Sequence, residues 1–176
     1  MMPDTKKKLS PDEQRKLNDH LIEAVGQDNT QTAQILLASG ADIHHWSDQA
    51  LRRAACAGHR QMVDVLLAAG ANVHAEDDWA LCWATYKGHM QVVQVLAQHI
   101  FAPNVWRGHN RSEVEMLANA LYDKIKASDR LIPIKPKDLR KAGTILVDCA
   151  LQCWEQIRPA PPKIQISPLA AQPRAL

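Results

Sequence analysis

Histidine and cysteine are the side chains of this 176-residue chain that could most readily do chemistry. His59 and His89 each follow a glycine, but no acid or second ligand is spaced to make either a general base or a metal ligand. His44, His45 and His74 lie in polar links, where nothing in their spacing requires a metal. We therefore expect no metal ion and no cofactor.

The cysteines predict packing rather than chemistry. Cys149 and Cys153 are four residues apart, on one face of a predicted helix, and two thiolates alone would make an incomplete zinc site. We expect both to be buried as small hydrophobic residues. The other two cysteines are Cys56 and Cys82. None of the four is spaced like the ligands of a zinc knuckle or the thiols of a redox CxxC motif. Unpaired thiols, and an N-terminus without an apolar signal segment, predict a reducing, cytoplasmic compartment.

Charge is unevenly distributed, although the net charge is only +2. Residues 21–100 carry four Lys/Arg and eight Asp/Glu, whereas residues 101–176 carry twelve and seven. A basic segment in the second region comprises Lys124, Lys126, Arg130, Lys135, Lys137, Arg140 and Lys141. It could meet nucleic-acid phosphate or an acidic protein face, but it lacks interleaved aromatic residues, so a solvated surface is the default interpretation.

Other signals of catalysis or membrane insertion are not found in the sequence. We find no phosphate-binding glycine loop, no nucleophile elbow and no paired histidine and carboxylate. No apolar run approaches the roughly 20 residues of a membrane span. The sequence therefore predicts neither an enzyme nor a membrane protein.

An internal repeat sets the expected architecture. Residues 46–75 align with residues 76–105 at an offset of thirty, with ten identical positions that include Leu51/Leu81, Gly58/Gly88 and His59/His89. A weaker copy lies upstream. In each unit a short apolar helix ends at a glycine and a second helix follows, so neighbouring units must stack to bury their apolar stripes.

These residues resemble the ankyrin-repeat family. The usual period is 33 residues with a TPLH start, whereas this chain has a period of 30, and TPLH is replaced by QALR and WALC. The pattern is similar to a compact variant of some viral and bacterial proteins. The resemblance implies an all-α solenoid with shortened fingers, spanning roughly residues 18–100. It also implies that Trp83 occupies a packed, apolar position.

The resemblance further implies that a partner binds the concave face and the fingers. The candidate contact residues are Trp46, Asp48, Gln49, Glu76, Asp77, Asp78, Trp79, Tyr86 and Lys87. Cys56 and Ala57 share the concave position of Tyr86 and Lys87. Indole and phenol rings near carboxylates are good interface anchors, so we expect the acidic array face to bind a protein.

Segments on both sides of the array predict further helices. Ser10, Pro11 and Glu13 form a capping-box start, so residues 1–17 are expected to comprise a mobile start and a capping helix. Residues 101–157 predict a C-terminal helical lobe, with helices from Ser112 and from Lys137. Five prolines in residues 158–176 predict a disordered tail.

The predicted function is that of a stand-alone, non-enzymatic binder that inhibits or sequesters a macromolecular target, in a bacterium or in a virus-infected host cell. Binding of nucleic acid through residues 124–141 is the alternative. The wide apolar face of residues 137–157 also predicts a homodimer through the lobe, as a secondary hypothesis.

Overall fold

The computed structural model describes residues 10–128 and 134–157. The predicted mobile start (1–9) and disordered tail (158–176) lie outside these ranges. Within them the chain is helical and contains no β-strand. The helices are α1 (Pro11–Gly26), α2 (Thr30–Ala38), α3 (His45–Ala57), α4 (Arg60–Ala68), α5 (Ala75–Lys87), α6 (Met90–Ile100), α7 (Pro103–Trp106), α8 (Arg111–Ser128) and α9 (Pro136–Ile157).

The predicted capping box forms at the start of α1. The Ser10 hydroxyl accepts a hydrogen bond from the Glu13 amide at 3.3 Å, and the Glu13 carboxylate accepts one from the Ser10 amide at 2.8 Å. These two bonds satisfy amides that the first helical turn leaves without an intrahelical partner. Helix α1 packs on both α2 and α3, so it is also the first helix of the stack.

The repeat builds three helix pairs, α1–α2, α3–α4 and α5–α6, which stack side by side. Leu51 and Leu81, thirty residues apart, are both fully buried. Gly58 and Gly88 end the first helix of their pairs with φ of 82° and 77°. A side chain at Gly58 would also clash with the His89 ring, 2.6 Å from the position of a Cβ. Glycine is therefore needed at this turn for both backbone conformation and space.

The shortened fingers are tight left-handed turns. Trp46, Ser47 and Asp48 have φ between 49° and 56°, and Glu76, Asp77 and Asp78 have φ between 51° and 64°. Three consecutive non-glycine residues in this region are strained, because the Cβ approaches the following carbonyl. Each turn brings the chain directly from one helix pair into the first helix of the next.

The C-terminal helices close the end of the stack. Helices α8 and α9 pack against each other, α9 lies on α6, and both contact α5. Leu121 and Ile125 of α8 and Leu146 of α9 are fully buried at this junction. At Gly143 an added Cβ would lie 2.8 Å from the Tyr122 ring, so glycine allows α8 and α9 to approach closely. The apolar face of α9 is therefore largely covered within one chain.

Candidate interaction groove

An open groove of about 700 Å³ runs between α3 and α5. We call it the inner groove and define it by Gln49, Arg52, Arg53, Cys56, Trp79 and Lys87, which line it together with Ala57 and His89. The repeat explains the location, because α3 and α5 are equivalent helices whose exposed faces lie next to each other. The groove brings together three predicted contact residues, Gln49, Trp79 and Lys87.

Aromatic rings form a row beside the inner groove. Trp79 stacks on Trp83 with ring centroids 4.9 Å apart, and Trp83 meets the edge of Tyr86 at 5.4 Å. The expectation that Trp83 is packed in the core is wrong, since its side chain is only partly buried. The repeat alignment could have indicated this exposure. Trp83 aligns at the thirty-residue offset with Arg53, a charged residue, and Arg53 is exposed in the structure.

Cations lie over these rings. The Arg52 guanidinium is 5.5 Å from the centroid of Trp79, and Lys87 Nζ is 5.4 Å from that of Tyr86 and 5.9 Å from that of Trp83. Arg52 also donates hydrogen bonds to the carbonyls of Trp46 at 2.8 Å and Ser47 at 3.1 Å. Its position is therefore held by the left-handed turn before α3.

The charge of the inner groove differs from the expected acidic face. Residues 21–100 contain four cations in total, and three of them, Arg52, Arg53 and Lys87, line the groove. The residues lining this described groove include no Asp or Glu. The predicted contact set omitted Arg52 and Arg53. The count of charged residues over the whole array does not show which face of the array each charge lies on.

Two predicted contact residues are internal. Asp48 and Asp78 are only 4% and 2% exposed. Asp48 Oδ1 accepts a hydrogen bond from the Asn72 amide at 2.7 Å, as Asn18 does from the Asp42 amide at 2.8 Å. These side chains tie the start of one repeat to the link that follows it, so we leave Asp48 and Asp78 out of the contact surface.

Asp78 occupies the last of these equivalent positions and takes a different partner. Its Oδ2 accepts a hydrogen bond from Lys124 of α8 at 2.6 Å, and its Oδ1 lies 2.5 Å from His74 Nδ1. His44 and Asp48 pair in the same way at 3.1 Å, so the expectation that histidine and carboxylate are not paired is wrong. Lys124 also reaches the exposed Asp77 at 2.7 Å. Burial raises the pKa of Asp78, but the hydrogen bonds from His74 and Lys124 outweigh it and hold that pKa below its ordinary value.

Two further predicted contacts, Trp46 and Glu76, lie at the left-handed turns. Trp46 is 66% exposed and stacks on His45 at 4.7 Å, and Glu76 is exposed as well. Gln49 is half-buried, and its Oε1 is buried with no hydrogen-bond partner in the described residues. Trp46 and Glu76 are not part of the inner groove lining, so they form its surroundings rather than its floor.

The cations of the basic segment 124–141 differ in their surroundings. Lys124 is held by Asp77 and Asp78, which raise its pKa through hydrogen bonds, and Arg130 lies outside the described residues. The other five cations are exposed around the end of α8 and the start of α9. They are Lys126, Lys135, Lys137, Arg140 and Lys141.

The histidines after the glycines stabilise the stack. His59 Nδ1 donates to the Val25 carbonyl at 3.0 Å, and His89 Nε2 donates to the Cys56 carbonyl at 3.2 Å, so each joins neighbouring helix pairs. Cys149 and Cys153 are buried as predicted. Burial raises the pKa of Cys149 to about 11 and also raises that of Cys153.

The junction between array and lobe holds a smaller cavity of about 220 Å³. Its lining consists of Gln98, Gln152, Gln156, the two buried thiols Cys149 and Cys153, Phe101 and Pro103. Amides and protonated thiols offer neither a general base nor an activated nucleophile. In the described ranges, His, Cys, Asp and Glu do not gather in threes that could hold a metal ion. None of the helices described is long and apolar enough to cross a membrane.

Stacked helix pairs with an open groove between equivalent helices define a helical-repeat solenoid, a class of protein-interaction scaffold. Comparison with protein families identifies the class more closely: residues 21–107 match the model for ankyrin repeats in three copies. The chain therefore belongs to the ankyrin-repeat family, whose repeats form protein–protein interaction modules. No curated protein matches the chain.

Proposed function

We propose that the chain is a non-enzymatic binder that holds a protein partner in the inner groove and so inhibits or sequesters it. The observation that carries the proposal is the groove itself, where Trp79 and three cations lie exposed or half-exposed on two equivalent helices. Indole and guanidinium groups are the side chains that most often dominate interface energies, because they combine a large contact area with directed hydrogen bonds.

Occlusion is the simplest mode of action for such a binder. The helices beyond the repeats pack on the array through Lys124 and the buried faces of α8 and α9, which supports a structural role for them as an end cap. We place this activity in the cytoplasm of a bacterium or of a virus-infected host cell. Cys56, Cys149 and Cys153 form no disulfide within the described residues, which is consistent with that compartment.

The test is affinity capture from a lysate of the source organism with three baits, quantified by mass spectrometry. The first is the wild type, the second is Arg52→Ala/Trp79→Ala, and the third is Lys137→Ala/Arg140→Ala as a matched surface control. We expect a protein that the wild type and the control retain and the groove variant loses. A partner retained by the groove variant but lost by the control would contradict the groove and favour the basic segment.

Nucleic-acid binding by residues 124–141 is the weaker candidate. Five exposed cations favour it, but the charge of Lys124 is already paired with carboxylates of the same chain. Such binding would weaken steeply with added salt, because phosphate contacts release counterions. A gel shift at low salt with duplex and single-stranded oligonucleotides tests it, and the absence of any shift would exclude it.

A homodimer through the lobe is a further proposal. Val105 of α7, Met116 of α8 and Val147 of α9 are the lobe's large exposed apolar side chains in the described ranges, at 59%, 64% and 44%. A dimer that buries Met116 and Val147 should dissociate in Val147→Lys/Met116→Lys. Sedimentation of the wild type at micromolar concentration measures it, and a monomeric wild type would exclude the dimer.

A further inference from the structure

The inner groove presents positive charge that no carboxylate in the described part of the chain neutralises. Within the described residues, Arg52, Arg53 and Lys87 form no ion pair with a carboxylate, whereas Lys124, Arg60 and Arg111 do. Three unpaired cations in one groove repel one another and raise the local potential for an anionic ligand. The groove therefore has a marked preference for negative charge before any ligand is considered.

The aromatic row does not offer open faces for nucleobases. The Trp79 ring already contacts Arg52 and Trp83, and Trp83 contacts Trp79, Tyr86 and Lys87. Single-stranded nucleic acids bind proteins largely by stacking bases on free aromatic faces. Here such stacking would displace existing contacts. The available recognition elements are the N–H groups of Arg53 and Lys87, together with those of Arg52 that do not bond the Trp46 and Ser47 carbonyls.

The form of the groove favours an extended chain over a compact ligand. The cations come from two helices, with Arg52 and Arg53 on α3 and Lys87 at the end of α5. Guanidinium groups bind carboxylates through paired N–H donors, and an ammonium group binds them as a point charge. An anionic segment that crosses both helices would use all three.

The chain's own ends carry the wrong charge to fill the groove. Residues 1–9 contain three lysines and one aspartate, and residues 158–176 contain three cations and no acid. Residues 1–9 and 158–176 therefore do not supply the cluster of carboxylates that the groove favours.

We propose that the inner groove recognises a linear acidic peptide segment, with two or more Asp or Glu carboxylates bound by Arg52, Arg53 and Lys87. This inference rests on the proposed function and specifies the chemistry of its partner. Trp79 and Trp83 contribute by holding Arg52 and Lys87 in place.

The experiment selects peptides from a displayed library of random dodecamers, so the probe is the library itself. The baits are the wild type, the reversal variant Arg52→Glu/Arg53→Glu/Lys87→Glu, and the matched control Lys137→Glu/Arg140→Glu/Lys141→Glu. A fourth bait, Arg52→Gln/Arg53→Gln/Lys87→Gln, keeps hydrogen-bonding capacity in case reversal unfolds the chain. Circular dichroism and thermal melting check that each bait is folded.

We expect Asp and Glu to be enriched in peptides selected by the wild type and by the control, and not in those selected by the reversal variant. A synthetic enriched peptide should bind the reversal variant about tenfold or more weakly, and the glutamine variant several-fold more weakly. Binding to the wild type should weaken between low and high salt, because exposed charges are screened.

Three outcomes would overturn the inference. The selected peptides could lack acidic enrichment and still fail to bind Trp79→Ala. That outcome would refute the inference of an acidic ligand but would keep the groove as the binding site. An absence of selected peptides, or peptides that bind every groove variant equally, would refute the proposed function together with the inference. The wild type could also bind an oligothymidylate more tightly than the enriched peptide. If the reversal variant then loses this binding, the groove would be assigned to nucleic acid.

Discussion

At the scale of single residues, Asp78 shows how one side chain acquires a new task at the end of a repeat. Asn18 and Asp48 accept backbone amides from the next link, but Asp78 has no further repeat of this kind to bind and accepts Lys124 instead. A carboxylate buried at 2% exposure needs such a partner, because desolvation of an unpaired charge is costly.

Substitution of Lys124 should therefore destabilise the fold. We expect Lys124→Met to lower the free energy of unfolding by about 1–2 kcal/mol, less than for a fully buried pair because the Lys124 side chain is 44% exposed. Urea unfolding at pH 7 measures it, with Lys126→Met on the same helix as the control. An equal effect of the two substitutions would contradict a specific role for Lys124.

The same pair predicts a pH dependence. The folded-state pKa of Asp78 is below its ordinary value of 3.8, so its stabilisation is present above that pH and is lost as pH falls through the folded-state pKa. The stability difference between wild type and Lys124→Met should shrink below about pH 4. Urea unfolding at several pH values tests this, and a difference that stays constant down to pH 2 would contradict it.

Cysteine accessibility gives a further residue-scale prediction. Cys56 is half-buried in the inner groove, whereas Cys82, Cys149 and Cys153 are buried. We expect one thiol to react quickly with a disulfide reagent such as Ellman's reagent in the folded protein, and Cys56→Ser to remove that fast phase. A fast phase that persists in Cys56→Ser would show that a second thiol is accessible.

At the scale of secondary-structure elements, the left-handed turns are a point of strain. Ser47 is exposed with φ of 54°, and its side chain makes no hydrogen bond with a described residue that would offset the cost. We expect Ser47→Gly to stabilise the protein by about 0.5–1 kcal/mol, since glycine adopts this conformation without a Cβ clash. Thermal unfolding should show a rise of a few degrees.

The matched control is Gln34→Gly, an exposed position inside α2 with ordinary helical geometry. There glycine should destabilise by about 1 kcal/mol, because it adds conformational freedom to the unfolded chain without relieving strain. If both glycine variants lower the melting temperature, Ser47 is not strained in solution.

At the scale of the whole molecule, α8 and α9 should unfold together with the repeats. Helix α9 packs on α6, and both α8 and α9 contact α5. The packing energy is therefore shared between the repeats and the two C-terminal helices. Leu146→Ala removes a fully buried side chain and should cost about 2–5 kcal/mol. Tryptophan fluorescence and far-ultraviolet circular dichroism should report one common unfolding transition at the lower denaturant concentration.

Val147→Ala is the control for that experiment, because its side chain is 44% exposed and should contribute less than about 1 kcal/mol. Two separate transitions in Leu146→Ala would show that the lobe and the array are independent.

The repeat architecture was predictable because it is a periodic property of local sequence. The thirty-residue offset, the glycines at helix ends and the Ser10 capping box each act within a few neighbouring residues, so the pattern of apolar residues predicts the helices and their stacking. The burial of Cys149 and Cys153 was predictable for the same reason.

The surface required the tertiary structure, because exposure and electrostatic partners are decided between residues far apart in the chain. Asp78 and Lys124 are 46 residues apart, and nothing local indicates that they pair. The cations of the inner groove were hidden by an acidic total, since Asp48 and Asp78 turn inward while Arg52 and Arg53 line the groove. Sequence periodicity thus determined the scaffold, and only the packing of helices decided which charges a partner can reach.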